Sequence, residues 1–282
     1  MKYILILVFI FIGYSRANGQ ELPANINSDS SNTWQHLKYD FNTTWKSVKY
    51  SITRPLDWKG KDYAKLGTIV VGTMALSLTD EGFNDFATRQ NDDFPKVVRD
   101  FGWYFGSPQN YFMANAGLYG FGLFTNNQKV RRTSVLIISS SITTGLIQSL
   151  TKSTIGRARP TQNLGAHEFN LLSSQGGFHS FPSGHTILSV TMAHSIAKQF
   201  DNVWTKTGIY TVGAIPPISR LIAGAHWLTD VIFSAALSII VVDSIDNFLY
   251  KKETYGLRKP KSTKVSWNLS LSPNKIGVVG TF

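Results

Sequence analysis

The chain of 282 residues contains no cysteine. That excludes disulfide staples, thiolate metal sites and a cysteine nucleophile, and with them zinc-finger and thioredoxin-like readings. Charge is also sparse: Asp, Glu, Lys and Arg make up 16% of the chain against 43% apolar residues, a balance that excludes a disordered protein. Mean hydropathy is -0.06, below what the spans of an ordinary polytopic transporter would give. Acidic residues are the minority, 17 against 28 Lys and Arg, and the net charge is +11. Such an excess favours anionic partners, whether phosphates, anionic lipid headgroups or nucleic acid. No internal repeat and no low-complexity block is present.

The N-terminus narrows the setting. Lys2, an apolar run over 3–13 and small residues at Ala17 and Gly19 have the pattern of a secretory signal over 1–19. The run is shorter than the roughly 20 apolar residues of a membrane span. Export to the periplasmic side is therefore expected, and it makes nucleic acid the least favoured anionic partner. A polar lead-in and an amphipathic helix are expected over 20–60. In that helix Trp34, Leu37, Phe41, Trp45, Val48 and Ile52 recur at helical spacing, ready to pack on the main domain or to lie in a membrane interface. Arg54-Pro55 ends it.

Apolar helical segments follow at about 64–78, 111–124, 134–150, 186–200, 207–222 and 228–250, with a short amphipathic helix over 80–90. The expected fold is an all-α antiparallel helix bundle over 61–252, with a small C-terminal β-hairpin in the tail over 253–282. There Val265, Trp267, Leu269 and Leu271 alternate with polar residues, Ser272-Pro273-Asn274 makes a turn, and Ile276, Val278 and Phe282 resume the alternation.

Three clusters concentrate phosphate-binding or proton-transfer groups. His226 and Asp230 are four apart and share a helix face, with the Arg220 fork six residues earlier. Pro182-Ser183-Gly184 stands where a helix begins, its free N–H groups suited to an anion, and His185 lies in the first turn. Lys152 closes one helix and Arg159-Pro160 follows in the loop. Each has a bland alternative: a satisfied helix pair, a plain N-cap, a solvated basic end. Connectivity raises their joint weight. The helix ending at Lys152, the loop with Arg159, the helix starting at Ser183 and His185, the return to Arg220 and the start at His226 all fall at one end of an antiparallel bundle. Two imidazoles, three cations and a helix N-terminus then converge, an arrangement suited to phosphoryl transfer through a covalent histidine.

Lys152-x6-Arg159-Pro160, Pro182-Ser183-Gly184-His185 and Ser219-Arg220-x5-His226-x3-Asp230 together resemble the three-part signature of the type 2 phosphatidic acid phosphatase family, whose superfamily includes secreted nonspecific acid phosphatases and vanadium haloperoxidases. The resemblance covers about 133–250. It implies that His226 attacks phosphorus, that Asp230 holds its ring, and that His185 protonates the leaving oxygen and then activates water. It implies that Lys152, Arg159 and Arg220 hold the nonbridging oxygens, with Ser183 and Gly184 adding hydrogen bonds. No metal and no cofactor is expected; vanadate enters only under a haloperoxidase alternative. A lipid phosphate or other phosphate ester is the expected substrate, and a membrane surface the expected partner. A secreted acid phosphatase acting on soluble esters is the other alternative.

Outside the signature, Arg157 is expected at the rim, His179 at the entrance, and Trp227 in the bundle interior. His36, His167 and His194 have no partner at a telling spacing. Lys129, Arg131, Arg132, Lys251 and Lys252 would give the far end a positive-inside character. Asp243 and Lys198 interrupt their helices early for a span, so a periplasmic, membrane-associated bundle is preferred to an integral one.

Overall fold

The structure is a computed structural model describing residues 33–252, 254–256, 266–272 and 275–281. The signal, the polar lead-in, the turn at 273–274 and the ends of the expected alternation at Val265 and Phe282 lie outside the described residues.

The body is helical: α1 (Thr33–Thr53), α2 (Gly60–Leu76), α3 (Asp80–Arg89), α4 (Lys96–Phe105), α5 (Pro108–Phe124), α6 (Gln128–Ile155), α7 (Gly184–Ala197), α8 (Val203–Ile222) and α9 (Leu228–Lys251). In the tail, β1 (Ser266–Ser272) pairs antiparallel with β2 (Lys275–Thr281). Helix α7 lies at the centre, packed by α6, α8 and α9; α5 covers α6, and α4 covers α8. Phe105, Tyr111, Leu118, Val130, Ile137, Met192 and Phe200 form one core cluster, and Leu136, Val241, Val242, Ile245 and Leu249 join α6 to α9 in another. Each such side chain contributes on the order of 1.5–3 kcal/mol on burial.

Helix boundaries follow local chemistry. The Asn127 side chain accepts from the Val130 N–H at 3.1 Å and starts α6. Gly156 ends it in the left-handed region, φ 59, where an added Cβ would meet the Asn170 carbonyl oxygen at 1.7 Å. The chain turns there into the loop that reaches the site.

Three expectations need correction. Helix α4 was not foreseen, because charges and Gly102 interrupt a segment of only ten residues. Arg131 and Arg132 are not a basic far-end patch: both are buried and paired, Arg131 with Asp40 at 2.9 Å and Arg132 with Asp246 at 2.7 Å. Asp40 also accepts from Tyr119 and Tyr255, so its carboxylate is saturated. His194 has partners as well, Tyr210 at 2.7 Å and Asp243 at 3.1 Å, and Lys198 bridges Asp243 and Asp246.

The Asp40 pair turns much of the apolar stripe of α1 outward, although Val48 stays buried. Asp40, Thr43 and Ser47 face the bundle, while Phe41 is 74% and Trp45 65% exposed. A buried Arg131 needs its carboxylate more than the interior needs two more aromatic rings. Helix α2 has no buried residue and exposes Leu66, Val70, Val71 and Met74. Helices α6 and α9 are long and apolar enough to cross a membrane.

Candidate active site

The loop from Gly156 to Ser183 is fixed by backbone hydrogen bonds and by side chains, Arg157 foremost. Arg159 N–H donates to the Gly177 carbonyl at 2.8 Å, Ala158 N–H to Glu168 at 3.0 Å and Ser180 N–H to Arg157 at 3.0 Å. The Arg157 guanidinium binds the Ala166 carbonyl through Nε at 2.9 Å and a terminal nitrogen at 2.8 Å. It also meets Asp80 at 2.7 Å and Asp230 at 2.8 Å. Arg157 is therefore buried at the heart of the loop and not at its rim, because two interior carboxylates require a counter-charge.

These elements enclose a cavity of about 610 Å³, lined at one end by Lys152, Arg159, Gly184, His185, Arg220 and His226. His226 is buried, and its Nδ1 lies 2.7 Å from the Ser180 carbonyl. A carbonyl only accepts, so Nδ1 carries the proton and Nε2 presents its lone pair. Nε2 stands 3.4 Å from an Arg159 terminal nitrogen. The expected Asp230 contact is looser: its Oδ2 is 3.7 Å from Nδ1. That oxygen instead accepts from the Ser180 hydroxyl at 2.5 Å and the Trp227 N–H at 2.9 Å. The acceptor that fixes the tautomer is thus a backbone carbonyl, with the carboxylate behind it.

The cations differ in how they are held. Arg159 is anchored by the carbonyls of Gly176, Ala225 and His179 at 3.1, 3.0 and 3.2 Å. Arg220 stacks over the Trp103 ring at 4.4 Å, and among the described residues its guanidinium makes only long 3.4 Å contacts, with Ser219 Oγ. Lys152 forms no ion pair among the described residues. Burial and the Arg159 charge lower its ammonium to about 8, against a smaller opposing pull from Asp230. Burial and Arg159 likewise lower Arg220 to about 10. Three cations crowd one cavity wall, and an anion between them relieves both their repulsion and their desolvation.

His185 opens α7, and its buried Nε2 has no hydrogen-bond partner among the described residues. Burial, with the Arg220 and His226 charges, lowers its pKa to about 4. Burial also lowers His226, with Asp230 opposing and Arg159 and Lys152 assisting. Gly106 makes room for the His185 ring: an added Cβ would stand 2.6 Å from its Cδ2 and 2.9 Å from its Cβ. Gly106→Ala is expected to displace the ring and lower turnover by about 10²-fold, read as kcat against an unfolding curve close to wild type. Unchanged kcat would contradict this placement.

Ser183 does not line the cavity. Its Oγ accepts from Thr186 at 3.0 Å and its N–H donates to Ser234 at 2.8 Å, so it is a buried link at the α7 N-terminus. Gly184 does line it. His179 gives its carbonyl to Arg159 and places its ring nitrogen 2.8 Å from the Ser173 carbonyl. His167 meets Ser77 at 3.2 Å. Trp227 is buried, its indole N–H donating to Ala158 at 2.7 Å. The sequence reading gave Ser180 and Asp80 no role in the site and did not single out Trp103. Only the apolar spacing of Val97, Phe101 and Phe105 hinted at the helix that carries Trp103.

A sequence profile of the PAP2 superfamily matches residues 133–251. A lipid A 1-phosphatase from Porphyromonas gingivalis is 31% identical over 120 residues, 39% of this chain and 27% of that protein. A lipid A 4'-phosphatase from the same organism is 29% identical over 123 residues, 43% of this chain and 50% of that protein. The chain therefore spans half or less of the length of these curated relatives. Among solved structures, the first transmembrane PAP2 type phosphatidylglycerolphosphate phosphatase from Bacillus subtilis aligns over 68% of this chain and 98% of that one, with 17% identity and a TM-score of 0.48.

Proposed function

We propose, for a chain whose residues 133–251 match the PAP2 superfamily, a phosphatase that removes phosphate from a lipid through a phosphohistidine on His226. The observation that carries this reading is the orientation of the His226 ring. The Ser180 carbonyl holds Nδ1–H, leaving the Nε2 lone pair beside Arg159 in a cavity also lined by Lys152 and Arg220.

In the first step Nε2 attacks phosphorus, the N–P bond forms, and the bond to the leaving oxygen breaks. His185 gives that oxygen a proton. It is neutral near pH 7 in the empty cavity and takes up its proton as the anionic phosphate offsets the surrounding cations. In the second step His185 takes a proton from water, the water oxygen attacks phosphorus and the N–P bond breaks, releasing inorganic phosphate. Charge grows on the nonbridging oxygens in both transition states. Lys152, Arg159 and Arg220 therefore lower the barrier more than they tighten ground-state binding. The Asp230 carboxylate cannot substitute for His226, since both of its oxygens are engaged by Arg157, Ser180 and Trp227.

A lipid-borne phosphate is favoured because the rest of the cavity is mostly apolar, with Ser141, Gln148 and Ser149 its further polar residues. Trp103, Phe112, Ile142, Leu146 and Leu188 line it, and Phe112 is 42% and Leu146 48% exposed, so the wall continues onto the outer surface between α5 and α6. The outward aromatic rings of α1 and the exposed apolar residues of α2 support contact with a membrane surface. The lipid A phosphatase activities of the two Porphyromonas relatives agree with this class. The exported, periplasmic placement expected from the N-terminal residues belongs to the same reading.

Phosphate release from dispersed lipid phosphates, beside a nucleotide and a small aryl phosphate, tests it. Leu146→Asp is expected to raise KM for the lipid about tenfold while changing hydrolysis of the aryl phosphate less than about twofold. Equal effects on both substrates, or release from the nucleotide alone, would exclude a lipid seat on this wall.

A further inference from the structure

Behind His226 lies a charged group that the phosphatase reading does not use. Asp80, the first residue of α3, is fully buried, 149 residues from its contact Thr229. Its Oδ1 accepts from the Thr229 N–H at 3.0 Å, and its Oδ2 from the Thr229 hydroxyl and from Arg157 at 2.7 Å. Thr229 stands in the first turn of α9, directly after His226. Asp80 thus acts as a remote cap on that helix, where a carboxylate is favoured. Arg157 spans Asp80 and Asp230, and Asp230 shares Ser180 with the His226 ring.

Charge arithmetic gives this chain of contacts a consequence. Arg157 with Asp230 alone would be neutral; with Asp80 added, the buried triad carries one net negative charge. We infer that Asp80 is a positioning residue for His226: by cancelling the Arg157 charge it leaves the Asp230 charge available to the imidazole as Nε2 bonds to phosphorus. This inference rests on His226 being the nucleophile. With Nδ1 held to the Ser180 carbonyl, the ring becomes cationic when Nε2 forms its new bond. The groups facing it from the cavity oppose that charge: Lys152 from α6, Arg159 from the loop, His185 from α7 and Arg220 from α8. Asp230 from α9 is the carboxylate that opposes them, and without Asp80 it would be matched by Arg157. In a dry interior such a fixed charge acts strongly on its neighbour.

The test compares wild type with Asp80→Asn, Arg157→Gln and the double variant, each carrying 15N-labelled histidine. The His226 titration is followed by NMR, and kcat and KM for phosphate release are measured alongside. Asp80→Asn removes the net charge, so His226 titrates at lower pH than in wild type, with kcat down about tenfold and KM within about twofold. Arg157→Gln makes the group more negative and moves the titration up. The double variant restores one negative charge and returns the titration toward wild type, though it has lost more hydrogen bonds than either single change. Wild type and any two of the three variants that fold suffice to check the order. A purely structural role predicts no such order, with the double variant worst; a titration of His226 indifferent to these changes, or an unchanged kcat in Asp80→Asn, overturns the inference. His226→Ala assayed in parallel separates the two claims. Retained phosphate release in that variant sinks the nucleophile itself, whereas its loss together with an unmoved titration in Asp80→Asn sinks only the role of Asp80.

Discussion

His226→Ala is expected to lower phosphate release by about three orders of magnitude or more, while KM for the lipid changes little. Alanine removes the ring nitrogen that the proposed mechanism bonds to phosphorus and leaves the three cations in place. Substrate is therefore still drawn to the cavity, and the loss falls on a bond made only on the way to the transition state. At about 1.4 kcal/mol per tenfold, this corresponds to roughly 4 kcal/mol of lost stabilisation. Thermal unfolding of the variant should stay close to wild type, since the ring contributes one short hydrogen bond, to the Ser180 carbonyl, and a long 3.4 Å contact with Arg159. A variant with kcat within about tenfold of wild type would show that another group bonds to phosphorus, or that water attacks it directly.

Arg157→Ala has the other large expected effect, on stability. The guanidinium joins Asp80 and Asp230, and the side chains of all three are 5% exposed or less. Removing it leaves two carboxylates buried and uncompensated and frees the Ala166 carbonyl, at a cost of about 3–5 kcal/mol. The sign with pH follows. In the variant the carboxylates resist ionisation, so their folded pKa values lie above the unfolded ones, and the deficit shrinks as pH falls and they protonate. Chemical unfolding of both proteins near pH 7 and near pH 5 measures this. A loss below about 1 kcal/mol at neutral pH, or a deficit that widens on acidification, would contradict the burial of the triad.

Arg157 also marks where the sequence stopped being informative. Lys152, His185, Arg220 and His226 were legible because each sits at or beside a helix end whose position local patterns dictate, and Arg159 because it lies in the loop that joins two of those ends. Antiparallel connectivity then places those ends together, as the cavity lining shows. Nothing local distinguishes Arg157 from Arg159, two residues on. One turns into the interior because Asp80 is there, and Asp80 lies 77 residues earlier in the chain. The role of Ser180 was not legible for a related reason: its contribution to the ring is a backbone carbonyl, which any residue type offers. In α1 the spacing correctly put Trp34, Phe41 and Trp45 on one face. It could not say that this face points outward, a choice made by the Asp40–Arg131 pair across 91 residues. Periodicity specifies which side chains share a face; only long-range charge pairing specifies what that face meets.

The reading turns on a covalent bond between His226 and phosphorus, and chemical trapping observes it directly. Wild type, Asp80→Asn and His226→Ala would be mixed with a 32P-labelled lipid phosphate and quenched in alkali, where phosphohistidine survives. The account predicts acid-labile label on wild type, mapped to the peptide containing residue 226, less of it on Asp80→Asn, and none on His226→Ala. Rapid hydrolysis by wild type with no label at any quench time, or label of equal amount on the alanine variant, would contradict it.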